Sequence, residues 1–272
     1  MAFLCYAVLR TAQTEWKRVP QLCAAALMMV TSGAMIAASG QITALLWPND
    51  WAYSIGAVGT LLAAWKTGSG RLKGLGIISS FSTVLLVVTL VVCLFLPATE
   101  AAVFLPANSS VFNAAAYAGM NMTLATGVIR SCAREKRREN LQTALLFGVV
   151  MLALLCLSNA LYLRHPLAQD TPFPIVRLLS RFGRAGFVLS AALLEFAIFT
   201  TLASVLFALR MMVKQWIHHP LLQKILTLGV PLWISCRGFD GIVDGVYAPV
   251  GMICLFAVFL PLLFLCFRQR KA

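Results

Sequence analysis

One acidic residue, Glu195, stands inside an apolar run of this chain, LLEFAIFTTLASVLFAL at 193–209. A carboxylate in hydrocarbon surroundings is costly, so the group is protonated, paired or facing water, and it marks a functional site by default. Two readings stay open: a proton-carrying or gating acid, or a structural acid hydrogen-bonded to a neighbouring helix. At about 100° per residue, Val188, Ala191, Phe199, Leu202 and Leu206 share its face. Gly186, Ser190, Ala197, Thr200, Thr201 and Ser204 form a small, hydroxyl-bearing stripe opposite. That stripe suits tight helix packing or the wall of an ion and solute cavity.

A second stretch with chemical potential is SVFNAAAYAGMNMTLATGVIR, 110–130. It is long enough to cross a bilayer, but small residues lead to Tyr117, Gly119 and Asn121, and Gly127 follows. Glycine weakens a helix and asparagine competes for backbone hydrogen bonds, so the segment is expected to unwind near Tyr117–Asn121. Unwound backbone at membrane depth survives only where protein buries it or a wet cavity meets it, which is where transporters hold solutes. The other reading is a small-residue packing face.

The elements that must position these groups follow from hydropathy. Sixty per cent of the 272 residues are hydrophobic and eleven per cent charged. The apolar residues fall in blocks, which predicts one all-α membrane domain of about eight spans: 21–47, 51–65, 74–96, 110–130, 141–163, 185–213, 222–236 and 247–267. The seventh carries Pro231, which is expected to kink it. Residues 1–20 read as a cytoplasmic-side segment whose Met1–Leu9 resembles the end of a longer span. The net charge of +13 does not signal a nucleic-acid partner, because the basic residues sit in the gaps between spans. Seventeen of the 22 Lys and Arg fall in alternate gaps and five in the others, which puts both termini in the cytoplasm.

Between 164 and 184, Ile175, Val176, Leu178, Leu179 and Phe182 alternate with Arg177, Arg181 and Arg184 at helical spacing, predicting an outer amphipathic helix. In the first span, Thr31, Ser32, Gly33, Ala34, Ala37, Ala38, Ser39 and Gly40 admit another backbone closely. Asp240 and Asp244, among three glycines, read as a flexible acidic turn. The eight cysteines are scattered, with no CxxC, and the three histidines lie in loops. No catalytic residues, metal ligands or cofactor motif are therefore expected, and the chain does not read as an enzyme.

Three stretches together carry a resemblance. They are MIAASGQITALLWPNDWAYSIGAVGTLLAAW (35–65) running into GRLKGLGIISSFSTVLLVV (70–88), FNAAAYAGMNMTLATGVI (112–129), and LLEFAIFTTLASVLFAL (193–209) followed by RGFDGIVDGVYAPVGMICL (237–255). In this order they resemble the YkvI-like bacterial inner-membrane proteins, of the amino acid–polyamine–organocation superfamily with the LeuT-type fold. The resemblance implies that the eight spans correspond to helices three to ten of that fold. Residues 21–97 would be a partial first repeat, 108–267 a complete second repeat, and 164–184 an outer lid. It implies a small solute, such as an amino acid, at Tyr117, Gly119, Met120 and Asn121. Glu195, Thr200 and Thr201 would serve a coupling H⁺ or Na⁺. The chain has no counterpart to the first helix of the pattern. That departure leaves room for a second membrane protein supplying the missing helices, for a non-transporting subunit or sensor, or for a truncated remnant.

Overall fold

The computed structural model describes residues 5–8, 18–68, 72–97, 118–124, 137–165, 173–261 and 264, and among these all regular structure is helical. The long helices are α1 (Arg18–Leu46), α2 (Ala52–Gly68), α3 (Leu72–Leu94), α5 (Arg137–Arg164) and α7 (Gly183–Trp216). Between them lie α4 (118–124) and α6 (Pro174–Leu179). The chain closes with α8 (Pro220–Lys224), α9 (Val230–Ser235), α10 (Phe239–Ile242) and α11 (Ala248–Cys254). Among the described residues, three segments, Pro20–Leu46, Arg138–Leu161 and Pro174–Trp216, are long and apolar enough to cross a membrane.

Local chemistry sets the boundaries. Pro48 follows the end of α1, and Asn49 accepts the Trp51 amide through its side-chain oxygen at 3.1 Å, turning the chain into α2. Pro174 and Pro220 open α6 and α8, where a missing N–H costs nothing. Gly183 and Gly238 adopt φ of 75° and 76°, a left-handed turn that favours glycine.

Near Pro231, where a kink is expected, the helix changes its hydrogen-bond pattern. A π-helical turn, Ile225–Gly229, joins α8 to α9 two residues before that proline. The turns Val243–Tyr247 and Leu255–Phe259 stand in the same relation to Pro249 and Pro261. Proline lacks the donor for the carbonyl four residues back, and its ring clashes with that carbonyl. Each wide turn contains that carbonyl, at Thr227, Gly245 or Ala257, so the helix widens where proline forbids the α pattern. The same geometry corrects the acidic-turn expectation: the chain is helical from Phe239, with Asp240 in the first turn.

The core forms where α1 meets α2, α7 and α9. Ala25, Met28, Ala38 and Ile42 of α1 run antiparallel along Val213, Leu209, Val205, Ile198 and Ala191 of α7. Ile36 packs with Ala57, Leu61 and Ala64 of α2 and with Leu202 and Leu206 of α7. The small residues of α1 behave as expected, since a Cβ on Gly33 would lie 2.6 Å from Ile234 and one on Gly40 would lie 2.8 Å from the Tyr53 ring. By contrast, only 11% of the most apolar 18-residue stretch of Arg138–Leu161 in α5 is buried, so most of its leucines and valines face outward. Large aromatics gather at both ends of the bundle. Trp47 and Trp51 are exposed at one end, and at the other Trp65 lies under Arg210 while Trp216 donates to Gln21 at 3.1 Å. Such belts suit the two water–lipid boundaries of a membrane.

The amphipathic reading of 164–184 holds in α6. Val176, Leu178 and Leu179 are buried and Arg177 and Arg181 are exposed, whereas Phe182 faces out. Under this helix lies His165, 0% exposed, with a ring nitrogen 3.2 Å from the Cys93 carbonyl. Burial, first, and then the Arg181 and Arg164 charges hold its imidazole below the usual range, against the Cys93 carbonyl, which favours the cation. The folded protein thus keeps His165 neutral where the unfolded chain already binds a proton. Stability is then flat above the ordinary histidine value of 6.5 and falls as pH drops below it. Thermal midpoints in detergent between about pH 8 and about pH 5 are expected to show that slope, and His165→Gln is expected to flatten it.

Candidate functional site

Gly40, against the Tyr53 ring, and Gly56 bring α1 and α2 together beside α7. A Cβ on Gly56 would lie 2.9 Å from the Ser39 carbonyl and collide with Thr43, so only glycine admits α1 at this depth. That approach puts Ser39 Oγ 3.2 Å from the Gly56 carbonyl and 2.7 Å from Thr60 Oγ1, one turn further along α2. From α7, Glu195 Oε1 reaches Ser39 Oγ at 2.5 Å and Thr60 Oγ1 at 2.6 Å. Three oxygens from three helices therefore form a closed triangle, each edge at hydrogen-bond length.

The other carboxyl oxygen, Glu195 Oε2, is buried and has no hydrogen-bond partner, and no ion pair reaches Glu195 among the described residues. Thr31 Oγ1, Ser32 Oγ and Gln41 Oε1 are the other buried side-chain atoms on α1 in that condition. Thr31 and Ser32 are 2% and 0% exposed, two turns from Ser39 toward the Arg18 end.

Thr200 and Thr201, the other expected ion-site residues, are on α7 but do not join the triangle. Both hydroxyls donate back to the Ala197 carbonyl, at 3.0 and 2.9 Å, and Thr201 faces outward. Ser190 and Ser204 likewise bond within their own helix. In an apolar medium this local acceptor satisfies a hydroxyl without any partner helix. Thr201→Ala is accordingly expected to leave the unfolding midpoint within about 0.5 kcal/mol of the parent. Unfolding in mixed detergent checks it, and a loss above that size would show that Thr201 holds more than its own backbone.

The expected substrate residues fall elsewhere. Tyr117 lies outside the described residues. Gly119, Met120 and Asn121 belong to α4, which is helical rather than unwound through 118–124. The reason is packing. Gly119 lies against Leu255 and Gly251, with a Cβ there 3.2 Å from Leu255, and Thr123 Oγ1 donates to the Gly119 carbonyl at 2.8 Å. Met120 is buried with Leu27 and Cys254, and Asn121 is half-buried. Leu27 precedes Ser39 by twelve residues, about 18 Å along α1. The structure thus separates α4 from the Glu195 triangle instead of joining them.

Glu195 was legible as an acid in an apolar run. Ser39 was visible only as one of several small residues, and Thr60 carried no signal beyond standing one turn after Gly56. Neither comparison with protein-family models nor searches of curated proteins and of solved structures found a match.

Proposed function

We propose that this chain is an integral membrane protein of the transporter type, handling a small solute such as an amino acid with an ion coupled through Glu195. The observation that carries the reading is the seat of that carboxyl, inside the bundle, on hydroxyls from two other helices. An intramembrane acid held across three helices is sensitive to how those helices sit against one another, as a coupling group must be. In this reading the bundle has about eight spans, arranged like helices three to ten of the LeuT-type fold. Both termini lie on the cytoplasmic face, and the solute enters near Asn121. The coupling residues are Glu195 with Ser39 and Thr60, in place of Thr200 and Thr201.

Uptake into proteoliposomes tests this. With a panel of radiolabelled amino acids and an imposed H⁺ or Na⁺ gradient, gradient-driven accumulation of at least one solute is expected. Glu195→Gln is expected to reduce it by at least tenfold. Unchanged gradient-driven flux in that variant removes Glu195 from coupling. Binding by thermal shift with no flux in either protein assigns the chain to a non-transporting sensor or subunit.

A further inference from the structure

We propose that the Glu195 triangle holds an exchangeable proton on the carboxyl, so that the ion this site handles is H⁺ and not a metal cation, an assignment that rests on the coupling role given to Glu195 above. Hydrogen counting carries it. The three oxygens Ser39 Oγ, Thr60 Oγ1 and Glu195 Oε1 lie 2.5, 2.6 and 2.7 Å apart. Two hydroxyls bring two hydrogens, one each. If both point at Oε1, the Ser39–Thr60 edge has no hydrogen, and two oxygens meet lone pair to lone pair at 2.7 Å. A third hydrogen, on the carboxyl, lets every edge carry one.

The spacing also argues against a cation cage. Even the tightest oxygen-ligated cation, Mg²⁺ at about 2.0–2.1 Å, holds neighbouring ligands about 2.9 Å apart, and larger ions spread them further. These three oxygens are closer than that on every edge. Glu195 Oε2 adds an independent constraint, being buried with no partner. Leaving a neutral carbonyl oxygen unsatisfied costs far less than leaving half of a carboxylate so. Ser39 and Thr60 differ from Thr200, Thr201 and Ser204, which donate to their own helix. The former two are turned instead toward the carboxyl.

Dicyclohexylcarbodiimide tests the assignment without any transport assay. The acid's O–H adds across one C=N bond of this apolar reagent, the proton going to nitrogen and the carboxyl oxygen to carbon. The O-acylisourea then rearranges to a stable N-acylurea with no loss of atoms. The full chain in liposomes is labelled, digested and analysed by mass spectrometry. Modification at Glu195 is expected, with equal yield in sodium chloride and in choline chloride of the same strength. A tenfold suppression by sodium would overturn the proposal in favour of a cation site. Infrared difference spectra of the parent minus Glu195→Gln supply a readout independent of reagent access. A protonated-carboxyl C=O band is expected, and carboxylate bands in its place would overturn the proposal. Labelled Glu195 in a protein that moves no solute would defeat the coupling role and leave the proton assignment standing. A carboxylate spectrum in a protein that does move solute would defeat the proton assignment alone.

Discussion

Gly56→Ala in α2 is expected to destabilise the bundle by about 2–4 kcal/mol, although alanine is the better helix former by about 1 kcal/mol. The added methyl would sit 2.6 Å from Thr43 Cβ and 2.9 Å from the Ser39 carbonyl. Neither is the free end of a flexible side chain, so α1 and α2 must separate. Overpacking of this kind costs about 1–3 kcal/mol by itself. Separation also stretches the Ser39 and Thr60 bonds to Glu195, and interhelical hydrogen bonds in membranes contribute about 0.6–2 kcal/mol each. Gly59→Ala is the matched control, because nothing lies within 4 Å of a Cβ there. Unfolding in mixed detergent and SDS, followed by circular dichroism, gives both values. Equal midpoints for the two variants would mean that α1 and α2 do not approach as closely as described.

The second large effect is an asymmetry around the triangle. Ser39→Ala with Thr60→Val removes both partners and leaves the Glu195 carboxyl buried with nothing to bond. A loss of about 1–3 kcal/mol is expected, the cost of leaving a buried neutral polar group without a partner. Glu195→Leu removes the acid instead. The two hydroxyls can then bond each other and their own helices, as Thr200 and Thr201 already do, so the expected loss is about 1 kcal/mol. Combining all three substitutions is expected to recover most of what the double variant lost, because an apolar set of similar shape replaces a polar one. A triple variant no more stable than the double would show that the two hydroxyls matter for packing rather than for the acid.

The apolar blocks located the long helices to within a few residues, since hydropathy and helix ends are local properties. Glu195 was legible for a similar reason: a charge-bearing group among leucines and phenylalanines is conspicuous without any partner. Its partners were not. Ser39 is 156 positions away and Thr60 is 135, and nothing local separates them from hydroxyls that bond within their own helices. Thr200 and Thr201 were candidates through the family resemblance, and their own helix satisfies both hydroxyls. Around Gly119 and Asn121, the residue types fitted both a broken helix and a close contact. Contact with Leu255 and Gly251 decided the matter for 118–124, and no single-helix argument could have supplied it.

The proline-matched wide turns have a mechanical consequence. From Arg18 to Leu46, and again from Gly183 to Trp216, regular α-helix continues without interruption, so each behaves as one stiff rod. Between Pro220 and Phe259 the backbone changes to the looser pattern three times, so this arm is a series of short rods on compliant joints. Bending energy spread along the bundle would collect at those joints first. The arm carrying Leu255 against Gly119 is therefore the half that yields, and the α1–α7 pair holding the Glu195 carboxyl is the anvil it yields against.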